Sequence, residues 1–74
     1  MGRTKEEALE CIRILHNILE REGVDDNGTT LSIGRLIEEH GVENAKGMVE
    51  IMRDMFQSDP GKCQMIDNLL RDVF

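Results

Sequence analysis

Apolar residues in this chain recur at steps of three and four, and that spacing commits it to helices. Ala45, Met48, Val49, Met52, Met55 and Phe56 show the pattern most fully. At about 3.6 residues per turn they share one helix face, while Lys46, Glu50, Arg53, Asp54 and Gln57 take the other. Three of the six are methionines, and Met65 follows in the next segment. Methionine is unbranched and repacks easily, so such a stripe suits an adaptable docking face or a loosely specified core.

The neighbouring segments repeat the pattern between strong punctuation. Thr4 and Glu7 have the spacing of a capping box opening a first helix, whose stripe is Ala8, Cys11, Ile12, Leu15, Ile18 and Leu19. Leu9 and Ile14 widen that arc on either side, and Gly23 is a natural left-handed stop. Asp25-Asp26-Asn27-Gly28 is the strongest turn signal. A short second helix is expected from Ser32, as N-cap, to His40, with Leu36 and Ile37 inward and His40 near the negative pole of the helix dipole. Gly41 ends it.

The methionine stripe forms the third helix, Glu43 to Gln57. Gly47 inside it costs about 1 kcal/mol relative to alanine, which marks either a close helix approach or no constraint at all. Ser58-Asp59 followed by Pro60 caps a fourth helix with proline at its first position. Its inner face is Cys63, Ile66, Leu69, Leu70 and Val73, with Asp67 and Arg71 as an i,i+4 pair and Phe74 docking at the end. No segment reads as a strand. The expected fold is all-α, a single helical domain over residues 1–74 built as a small bundle of four short helices.

A chain of 74 residues buries only about 60% of its unfolded surface, so its core is thin. Two phenylalanines and no tryptophan or tyrosine leave few large anchors, which favours completion of the core by dimerisation. Fifteen acidic against nine basic residues give a formal charge of −6. That field repels nucleic-acid phosphates and anionic membranes, so neither is an expected partner. No apolar run reaches membrane-span length and no signal peptide is visible, so a cytoplasmic location is expected. Met1-Gly2 has the start of an acylation signal, but Glu6 stands where that signal needs Ser or Thr.

Two family patterns touch the chain. Asp25, Asn27 and Gly28 resemble positions 3, 5 and 6 of a calcium-binding EF-hand loop. The bidentate glutamate of position 12 is replaced by Gly34, or by Arg35 in the alternative register, so a polar turn is expected instead. Ile33 to Met52 is similar to a helix-turn-helix with Gly41-Val42 at the turn. There Ile37 and Gly47 stand where that pattern has a small and an apolar residue, and the second helix offers Glu43, Asn44, Lys46 and Glu50.

Catalysis, metals and cofactors are not expected. Cys11 and Cys63 match no zinc or redox spacing, and Cys11 on an apolar stripe reads as a buried free thiol. His16 and His40 accompany no nucleophile, and the acids form no pair on an apolar surface. The expected function is a non-enzymatic protein–protein interaction module, a small acidic adaptor or inhibitor. Its contact would be Met48, Met52, Met55 and Phe56, with Glu38, Glu39 and Glu43 as an acidic rim. The partner would be a second copy in a homodimer or another, basic, protein. The alternative is a DNA-binding regulator using the helix-turn-helix-like segment.

Overall fold

Most helix ends carry a local chemical signal, and the start of α2 and the end of α3 differ from the sequence expectation. The computed structural model describes residues 2–74; Met1, and with it part of the acylation-like Met1-Gly2 pattern, lies outside the described residues. Among the described residues there are four helices and no strand: α1 (Lys5–Glu22), α2 (Thr29–His40), α3 (Val42–Met55) and α4 (Pro60–Asp72). No helix among them is long and apolar enough to cross a membrane.

The capping box at the start of α1 is formed. Thr4 Oγ1 accepts from the Glu7 N–H at 3.1 Å, and Glu7 Oε1 accepts from the Thr4 N–H at 2.9 Å. Gly23 closes the helix in the left-handed region, φ +71°, donating its N–H to Glu20 and Leu19 carbonyls. At the other end of the chain, Asp59 Oδ1 accepts from the Lys62 N–H at 3.2 Å, and Pro60 occupies the first turn of α4.

The start of α2 is a correction. The helix opens at Thr29, three residues before Ser32, and Ser32 lies exposed within it. Asp26 supplies the cap. Its Oδ1 accepts from the Gly28 N–H, and its Oδ2 accepts from both the N–H and the hydroxyl of Thr30. Thr30 is almost fully buried, so this carboxylate also satisfies a hydroxyl that would otherwise be stranded in the core. Asp26 therefore does work that a surface serine could not.

α2 and α3 meet at one residue. Gly41, at φ +84°, ends the first and starts the second. Its N–H donates to Ile37 O at 2.9 Å, and its carbonyl accepts from the Ala45 N–H at 3.0 Å. α3 closes at Met55 rather than Gln57, with Phe56 as its C-cap.

All four helices supply the core. Ala8 and Ile12 of α1, Ile33 and Ile37 of α2, Ala45 and Val49 of α3, and Ile66 and Leu69 of α4 are buried, as is Val73 just after α4. Leu36, Leu70 and Phe74 pack against this cluster as expected, but Cys11 is half-buried rather than buried and Ile18 is exposed. Chain-adjacent helices pack most closely: α1 on α2, α2 on α3, α3 on α4.

The close helix approach also falls elsewhere than at Gly47, whose missing Cβ faces open space. Gly34 is the tight position. A Cβ there would stand 3.1 Å from Cγ2 of Ile12, so a glycine lets α1 and α2 touch. The expected Asp67–Arg71 pair is replaced as well. Asp67 is held by Arg53 of α3, and Arg71 turns to Asp72.

Candidate functional site

The methionine helix is divided by the fold into a buried edge and an open edge. Ala45 and Val49 are fully buried, and Phe56 packs against the core from the C-terminal end. Met48 and Met52 are half-buried, while Met55 is 72% exposed and Ile51 63% exposed. Positions 48, 51, 52 and 55 are three or four apart, so they form one continuous apolar strip on the helix. Ile51 belongs to this strip although the sequence pattern assigned it to neither face. Its i,i+4 relation to Met55 and i,i+3 relation to Met48 was the available signal.

The C-terminal end of the strip runs into a cleft of about 190 Å³. Met52, Phe56, Met65 and Ile66 form its apolar wall, and Asp25, Asp26, Thr29 and Ser32 its polar wall. Lys62 stands at the same cleft with its Nζ 4.6 Å from the centroid of the Phe56 ring, a cation–π contact. Phe56 is fixed from behind, since its carbonyl accepts from Cys63 Sγ at 3.0 Å.

The acids of the cleft are partly committed to the turn. Asp25 Oδ1 accepts from the Asn27 N–H at 2.8 Å, with Asn27 itself in the left-handed region at φ +57°. Burial alone would raise the Asp26 carboxyl, but the hydrogen bonds from Thr30 and Gly28 outweigh it and hold the group below the usual carboxylate range. This is the polar turn expected from the sequence, and it spends on backbone N–H groups the oxygens that an EF-hand would direct at calcium. No cluster of three or more metal-ligating side chains occurs among the described residues.

The three acids expected as a rim are all exposed, but they lie at the other end of α3. Glu43 is 12 residues from Met55, or about 18 Å along the axis. Glu38 and Glu39 sit in the last turn of α2, where the Glu38 carbonyl accepts from Lys5 Nζ at 3.0 Å. They lie toward the start of α3, at the end away from Met55 and Phe56. Asp54, exposed and three residues after Ile51, borders the strip, while exposed Glu50 lies one row further round the helix.

The histidines and cysteines are scattered. His16 lines a shallow groove between α1 and α2 and stands 3.0 Å from Glu20 Oε1. Cys11 is five residues earlier, about 140° around the same helix. His40 is at the C-terminus of α2, beside Glu39. A further apolar groove of about 140 Å³ lies between α1 and α4, lined by Leu15, Ile18, Leu19, Met65 and Leu69.

The helix-turn-helix likeness meets a different joint. A single residue separates α2 from α3, where that motif uses a turn of about three or four. Comparison of the chain with protein-family models, curated proteins and solved structures returns no match.

Proposed function

We propose that the protein is a non-enzymatic interaction module that docks a partner helix on the open edge of α3. The observation that carries this reading is the exposure of Ile51 and Met55 on a helix whose opposite edge is fully buried core. Two large apolar side chains held in the open, continuous with half-buried Met48 and Met52, form a ready contact strip. Methionines let the strip adjust to the shape it receives. The partner is a second copy of the chain or another protein, and the thin core supports association of either kind.

Sedimentation velocity of the wild type beside Met55→Glu and Ile51→Glu tests this, combined with retention of host proteins on each as bait. A dimer that both variants dissociate identifies a second copy as the occupant. A monomer whose retained protein is lost by both variants identifies another protein. Folded variants that associate just as the wild type does would refute the reading.

A further inference from the structure

The charges around the α3 strip select among its occupants. On α3, Asp54 follows Ile51 by three positions and borders it on the outer edge, with Glu50 and Glu43 exposed one row further round the helix. On α2, Glu39 occupies the exposed end nearest the start of α3. At the far end the cleft adds Asp25 and Asp26 against the single cation Lys62. The strip is thus an apolar band with acid at Asp54 on its outer edge and in the cleft at its end. A second copy would bring the same acids together across the contact, where like charges oppose pairing.

We infer that the strip and its cleft receive a basic amphipathic helix, with one lysine or arginine of that helix entering the cleft between Phe56 and Asp25. This rests on the docking reading above and names the chemistry of its partner. The apolar face of the incoming helix lies on Met48, Ile51, Met52 and Met55. Its basic residue stretches its aliphatic stem along Met52 and Met65. The cationic head then meets the Phe56 ring, over which Lys62 now sits, and the free edge of Asp25 across the cleft. Lys62 is exposed and can swing aside into solvent.

Two synthetic peptides of the same 14-residue length as α3 test this by fluorescence anisotropy. One is a leucine–lysine helix, and the other keeps the leucine spacing with glutamate in place of lysine. The wild type should bind the lysine peptide at least about tenfold more tightly than the glutamate peptide. Asp25→Asn keeps the carbonyl that accepts from Asn27 and should weaken lysine-peptide binding about threefold.

Met55→Glu separates docking from bulk attraction, because it makes the protein more acidic while blocking the strip. It should weaken lysine-peptide binding about tenfold. Tighter binding by this variant would overturn the inference, as diffuse charge attraction would then explain the binding. Equal binding of both peptides that Met55→Glu abolishes would overturn the basic partner and leave the docking reading standing. A wild-type dimer that Met55→Glu dissociates would also overturn it, by placing a second copy on the strip.

Discussion

Arg53 grips Asp67 with two parallel hydrogen bonds, Nε to Oδ1 and Nη2 to Oδ2, the latter at 3.1 Å, and so ties α3 to α4. The guanidinium beside it holds the Asp67 carboxyl below its usual range. Both side chains are about two-fifths exposed, so water and salt screen the pair. Asp67→Asn should lower the melting temperature slightly in dilute buffer, and the difference should vanish at molar salt. A large loss that persists in high salt would show the pair to be a main support of the α3–α4 contact.

Asp26 should make the fold acid-sensitive in a way that one substitution removes. Its pKa in the folded chain lies below the unfolded value, so its stabilisation is fully present above the unfolded pKa. That stabilisation is lost as pH falls through the folded value. Asp26→Asn should cost about 1 kcal/mol at neutral pH, as for loss of a good cap. Chemical denaturation across the acid range should then show the gap between variant and wild type closing as pH drops.

Gly34 and Gly47 should respond to alanine in opposite directions. At Gly47 the new methyl enters open space in an exposed helix position, so the variant should gain up to about 1 kcal/mol. At Gly34 the methyl meets Cγ2 of Ile12, a β-branched side chain with few helical rotamers to retreat into. Gly34→Ala should therefore lose stability, and Ile12→Ala should convert that loss into a gain. Thermal melts of the single and double variants read this directly.

Core and strip should separate cleanly under truncation. Ile37 is fully buried, and Ile37→Ala should cost about 2–5 kcal/mol, enough to unfold much of a domain this small. Ile51→Ser on the open edge of the neighbouring helix should stay within about 0.5 kcal/mol of wild type. Far-UV circular dichroism during denaturation distinguishes the two outcomes.

What the sequence made legible was local, and what it hid was tertiary. Thr4 with Glu7, Gly23, and Asp59 with Pro60 act within one helical turn, so their signals can be read without knowing the fold. The choice of Asp26 over Ser32 depends on Thr30 being buried, a fact that arises only when α2 packs. Asp67 could reach Arg71 on its own helix or Arg53 on the next, and only the α3–α4 geometry decides. Likewise the methionine spacing marked a helix but could not divide its stripe into buried Val49 and open Met55. Ile51 had a spacing signal toward Met48 and Met55, but its exposure, like that of Met55, is decided by its neighbours in space.

The packing of each helix chiefly on the next in sequence has a kinetic consequence. Most contacts close over short stretches of chain, so little loop entropy must be lost before any contact forms. Such a chain can begin to organise from any adjacent helix pair, with the single-residue joint at Gly41 the shortest loop available. Folding in well under a second is expected, with the seam between α1 and α4, the helices farthest apart in sequence, expected to close last.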